Sequence, residues 1–194
     1  MTEAALAANA TPQPPAVIVQ LLEKLAVPYQ VRAERPGQPS EARLQAVLVD
    51  DAVGALLVLY PRSHLLDLSR LAELTGRQLT AVKPERLERM LGKHDLAALP
   101  GLPPLTSSPC LYEERLLQVP SLLIDSGQPG VLLEVPTEAF KTLLSKASAA
   151  RFGEPVSAIK PNLDRPHDDR AEITQAVQAF TARRIQQRLE ETIE

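Results

Sequence analysis

The sequence predicts an α+β domain followed by a helical extension, and three observations carry that reading. Two pairs of strand-length apolar runs are each joined by a turn signal. Segments with apolar residues at helical spacing lie before, between and after those pairs. The 194 residues are 44% hydrophobic but only 3% aromatic, with no Trp, so the core that holds these elements must be aliphatic.

In chain order, residues 1–15 are rich in Ala, Thr, Gln and Pro without a periodic apolar face, which predicts a flexible lead-in. Val17, Ile18, Leu21, Leu22 and Leu25 then recur at helical spacing until Pro28, predicting an amphipathic helix over 16–26. Residues 29–32 alternate as a short strand, and the Pro-containing charged run 33–40 reads as a loop. Residues 46–50 and 55–60 form a hairpin across Asp51-Ala-Val-Gly54. Their near-continuous apolar character predicts at least one strand covered on both faces. Asp67 suits the cap of a helix carrying Leu68, Leu71, Ala72 and Leu74, with Gly76 just past its end. Thr80-Ala-Val82 reads as a short strand, and Pro84 opens another helix that Gly92 closes.

Residues 96–109 carry Pro100, Pro103, Pro104 and Pro109 with Gly101, so they are a long loop, the kind that is functional or disordered. A second hairpin pairs 121–125 with 131–135, and Thr137 is placed to cap a helix through Phe140, Leu143 and Leu144. The domain is thus expected over 16–146, a Pro-bearing linker over 147–170, and a final helix over 171–194. On that helix Ile173, Val177 and Phe180 are offset from Ile185, Leu189 and Ile193, a pattern for packing on two surfaces rather than a uniform coiled coil.

Several chemistries lack their residues. The formal charge of -3 argues against broad phosphate binding. The N-terminus has no basic and apolar leader, and no run approaches the roughly 20 apolar residues of a membrane helix, so a cytoplasmic protein is expected. His64, His94 and His167 are isolated and Cys110 is the single cysteine, which predicts no metal and no disulfide. Nucleophile-elbow, Walker and dinucleotide glycine motifs are missing, so no cofactor is expected. Cys110 without a neighbouring base reads as a small hydrophobe. Arg183, Arg184 and Arg188 are followed by Glu190, Glu191 and Glu194 and read as a mixed-charge solvated face.

Four strings point further: residues 19–29, the run Ala46-Val-Leu-Val49, residues 66–76, and Gln118-Val-Pro-Ser-Leu-Leu-Ile-Asp125. From about Ala16 to Leu144 the chain resembles the YbaK/prolyl-tRNA-editing family, aminoacyl-tRNA deacylase domains related to the insertion domain of bacterial prolyl-tRNA synthetase. The resemblance implies a mixed, barrel-like β-sheet with surrounding helices. It also implies a cleft that takes the aminoacylated 3′ end of a tRNA and hydrolyses a wrongly attached amino acid.

The family pattern of a lysine before the central strand, two glycines and a proline in the long loop, and an aspartate at a later strand end maps onto this chain with departures. Gln45 stands in the lysine position, where a neutral amide replaces a charge that would act on the ester or the nucleic acid. Leu96 and Ala97 replace the glycine pair, which costs backbone freedom and close ligand approach. Pro100 is kept beside Gly101, and Asp125 is kept before Ser126 and Gly127. Each residue also has a plain reading. Gln45 can be a polar strand-start residue, Pro100 and Gly101 can shape a surface loop, and Asp125 can cap the turn that follows it.

Two functions fit these residues. One is an editing deacylase, impaired by its substitutions. The other is a non-catalytic module that binds a ligand, an RNA or a partner protein, since in some bacterial proteins a similar domain precedes an HDOD signalling domain. The final helix would then be a dimerisation element or a connector to such a domain.

Overall fold

The computed structural model of the chain describes residues 12–156. Residues 1–11 of the expected lead-in and the whole expected final helix lie outside the described residues. The chain divides after Glu154, and apart from Pro155 and Val156 the described residues belong to the first unit.

Helix α1 spans Ala16–Lys24 and buries Ile18 and Leu22, four residues apart on one face. It leads into β1 (Gln30–Ala33). The predicted hairpin is β2 (Leu44–Asp50) against β3 (Ala55–Pro61), antiparallel from Leu44↔Pro61 to Asp50↔Ala55. A three-residue strand β4 (His64–Leu66) follows, then α2 (Leu68–Thr75). Asp67 caps α2 as expected, its side chain accepting from the Arg70 amide at 3.0 Å, and Gly76 closes it at φ 65°. Next come β5 (Thr80–Ala81) and α3 (Pro84–Gly92), with Pro84 in the first turn.

The long Pro-rich segment is a loop with one 3-10 turn at Pro103–Leu105. It delivers the chain to β6 (Cys110–Glu113) and a second 3-10 turn at Glu114–Gln118. The second predicted hairpin is β7 (Ser121–Asp125) with β8 (Val131–Pro136). Helix α4 (Thr137–Leu143) lacks the expected side-chain cap. The Thr137 hydroxyl instead donates to the Val119 carbonyl at 2.5 Å, tying the helix start to the turn before β7. Residues 148–155, read from sequence as the start of the linker, carry β9 (Ser148–Ala150) and β10 (Gly153–Pro155).

Two main sheets result. One is antiparallel, in order β1-β8-β7; the other is mixed, in order β5-β2-β3-β6-β9, with β3, β6 and β9 parallel. Strands β4 and β10 form a small third sheet. The main sheets meet at a single bridge, Arg43↔Leu123, supported by the Leu123 amide donating to the Ala42 carbonyl at 2.8 Å. The barrel-like closure expected from the family resemblance is therefore corrected: the sheets stay open, because one bridge in place of a ladder does not close a ring.

Strand β3 explains the continuous apolar run. Leu57 and Leu59 enter a large core with Ile18, Leu22, Leu122, Ile124, Leu133 and Phe140. The alternate residues Leu56, Val58 and Tyr60 enter a smaller core with Leu71 and Phe152. Both faces are covered, so period-2 alternation vanishes from the sequence. No helix among the described residues is long and apolar enough to cross a membrane.

Candidate functional site

Strand β2 divides the expected site residues between its two faces. Leu44 and Leu48 belong to the large core and Val49 to the smaller one, so strand alternation puts Gln45 with Val47 and Val49 on the smaller-core face. Gln45 is half-buried there, opposite Tyr60 on β3. Gly101 lies on the other face: a Cβ added to it would collide with Leu44 Cδ2 and touch Ile124 Cγ2 at 3.4 Å. Gln45 and the long loop are thus not brought together on one face of β2.

The loop and the Asp125 turn do meet. The amides of Ala97 and Ala98 donate to the Gly127 carbonyl at 2.8 and 3.3 Å. Leu96 is buried, and its Cδ2 sits 2.6 Å from where a Cβ on Gly127 would be. Gly127 also has φ 88°, so both its backbone and its space demand glycine. Leu96, Pro100, Gly101 and Gly127 are all buried, while Ala97 is exposed. Leu96 therefore does a packing job: it fills the space above the turn. Two loop amides that could have faced an oxyanion are spent on a carbonyl.

Asp125 has a partner that the sequence did not reveal. Arg43, 6% exposed, donates from Nη2 to Asp125 Oδ1 at 2.7 Å. The same Nη2 is 3.3 Å from Glu34 Oε1, and Arg62 Nη1 lies 4.0 Å from that oxygen. Burial raises the Asp125 carboxyl above its ordinary value, with Arg43 pulling the other way. Instead of capping its own turn, Asp125 orients a guanidinium; the turn is closed by Ser126, whose hydroxyl accepts from the Gln128 amide at 3.2 Å. Arg43 was missed because its partner is 82 residues away and no local pattern marks it. The one usable signal was a charged residue just before an otherwise apolar strand.

Beside this pair the 34–40 loop, Arg43 and Arg62 enclose a cleft of about 390 Å³. Cys110, by contrast, is buried in the large core, its thiol pushed up to about 12 by desolvation, so it acts as a small hydrophobe. Among the described residues no cluster of three or more His, Cys, Asp or Glu is arranged to hold a metal ion.

Comparison with known proteins gives this fold a context. The family model described as aminoacyl-tRNA editing domain matches residues 26–143. A candidate signal transduction protein from Marinobacter aquaeolei VT8 is similar in structure, with TM-score 0.71, 28% identity and 84% of this chain covered. This chain spans only 36% of that protein. A candidate trans-editing enzyme for prolyl tRNA synthetase has TM-score 0.60 at 23% identity, over 74% of this chain and 99% of its own, a likeness of fold. No curated protein sequence matches the chain.

Proposed function

Because the chain belongs to the aminoacyl-tRNA editing domain family, we propose that it receives the acylated 3′ end of a tRNA and hydrolyses its ester only weakly. The observation that carries this reading is the family match across residues 26–143, which encloses Gln45, the 96–101 loop and Asp125. The weakness follows from three local facts. Gln45 offers no charge at the position where the family resemblance puts a lysine. Leu96 fills space that glycine would leave open, and the Ala97 and Ala98 amides are already engaged. In this reading Asp125, fixed by Arg43, is the polar group that faces the ligand, and Gly127 shapes the turn beneath it. A cytoplasmic location and a mischarged proline tRNA as substrate belong to the same proposal.

The test is release of labelled alanine and cysteine from tRNA for proline by the wild type, the Gln45→Lys variant and a no-protein blank. We expect the wild type to exceed the blank slightly and the lysine variant to gain about 10²-fold, the low end of what one positioned charged group supplies. Silence in both, with no binding of the acylated tRNA, would remove the editing reading.

A second reading is supported by the Marinobacter aquaeolei VT8 protein, described as a candidate for signal transduction and nearly three times as long as the segment matched. There the domain would be a non-catalytic ligand-binding module, joined through the residues that follow β10 to a signalling domain or to a second copy of itself. Tight binding of the acylated tRNA end without turnover in either variant would favour it.

A further inference from the structure

We propose that the cleft between the 34–40 loop, Arg43 and Arg62 is a phosphate-binding site in which the Glu34 carboxylate occupies the anion's place until a ligand displaces it. The loop is built rather than slack. Gln38 accepts from the Arg35 amide and donates to the Ala33 carbonyl, both at 3.2 Å, and the Glu34 amide donates to the Gly130 carbonyl at 2.9 Å. Gly37 turns the chain at φ 81°. This frame puts the guanidiniums of Arg43 and Arg62 beside one carboxylate, Glu34, in a cleft of about 390 Å³ that Arg35 also lines.

The two carboxylates that neutralise Arg43 are held differently. Asp125 is at 2.7 Å, the length of a charge-assisted hydrogen bond. Glu34 Oε1 stands at 3.3 Å from Arg43 and 4.0 Å from Arg62, shared between two cations and bonded closely to neither. Arg43 Nε and Nη1 are buried and have no hydrogen-bond partner among the described residues. Arg43 therefore meets the cleft through Nη2, the atom that Glu34 and Asp125 share, and an anion that replaces Glu34 there keeps the buried charge neutralised. A tetrahedral anion suits the site better than a planar carboxylate, since its oxygens point toward several guanidiniums at once.

The cleft itself follows from geometry alone, whereas the identity of the phosphate rests on the proposed function: a backbone phosphate of the RNA 3′ end, lying beside the Asp125 turn. The test measures binding of three probes to the full chain: a short single-stranded RNA ending in CCA, AMP, and inorganic phosphate. The variants are Arg35→Ala, Arg62→Ala and Glu34→Gln. All three residues are exposed, so the fold should survive, with circular dichroism as the check. We expect both arginine variants to weaken RNA binding several-fold and each to lower the slope of log K against log salt by about 0.7. Glu34→Gln should tighten binding, because it removes the competing carboxylate while keeping the side chain's shape.

If AMP and phosphate follow this pattern but RNA does not bind, the phosphate site stands and the RNA assignment falls. RNA binding that is equal in all four proteins overturns the cleft and leaves the editing proposal intact. Failure of every probe to bind the wild type overturns the cleft, and the deacylation assay then decides the editing proposal separately.

Discussion

Gly101 shows how tightly packing alone can constrain a single residue. A Cβ added to this ligand-site candidate would meet the side chains of Leu44 on β2 and Ile124 on β7. Adding one methyl in Gly101→Ala forces the buried Leu44 side chain to move, an overpacking cost of about 1–3 kcal/mol that urea unfolding would read. An unchanged midpoint would show that Leu44 has room to swing. Asp125 is the opposite case. Its position at a strand end was legible as significant, whereas its partner was not, because Arg43 is brought beside β7 from a distant part of the sequence. Local chemistry can be read from a string, and a partner 82 residues away cannot. Likewise Leu96 reads as a lost glycine in sequence and as a core residue in space.

At the level of elements, legibility followed length and punctuation. The helices at Ala16–Lys24, Leu68–Thr75 and Pro84–Gly92 carry caps, prolines and helical spacing, and both hairpins have turn residues between long apolar runs. Strands β4, β6, β9 and β10 have three or four residues each, too few for any period to show. Strand β6 and β9 also pair in parallel, so no turn links them to a neighbour. What anchors this late-joining region is Glu113, 0% exposed. Its Oε2 accepts from the amides of Phe152 and Gly153, both at 2.8 Å, stapling the chain between β9 and β10 to the end of β6. Glu113→Ala leaves both donors without that acceptor, one of them fully buried, so we expect a loss of about 2–3 kcal/mol. Hydrogen exchange at Phe152 and Gly153 should accelerate in the variant while the β2–β3 hairpin keeps its protection. Equal acceleration everywhere would mean that the staple belongs to the global fold and not to this corner.

Across the whole molecule, stability should follow pH in stages whose signs are set by individual groups. Burial and the Arg115 charge lower the His64 imidazole below its ordinary 6.5, against the opposing pull of Glu113 and Glu41. The unfolded chain then takes up that proton first, so stability falls as pH drops below 6.5. Asp125 works the other way: its raised value means the folded state binds a proton more readily, and stability recovers in part as pH falls from that raised value toward 3.8. Asp51 and Glu134 are both lowered, chiefly by side-chain hydrogen bonds from Arg77 and Arg32, so what they contribute is present above 3.8 and 4.5 and is lost below. The profile should decline gently below 6.5, flatten as Asp125 protonates, and then steepen in acid. Urea midpoints across this range for the wild type, His64→Gln and Asp51→Asn test each stage. His64→Gln should remove the upper decline and leave the acid limb alone. Asp51→Asn should lower the midpoint at neutral pH and converge on the wild type in acid, because the Asp51–Arg77 pair that fixes the β2–β3 turn is absent in the variant at every pH and lost from the wild type only there. A wild-type midpoint that stays level from neutrality down to pH 4.5 would contradict the assignment of the upper stage to His64.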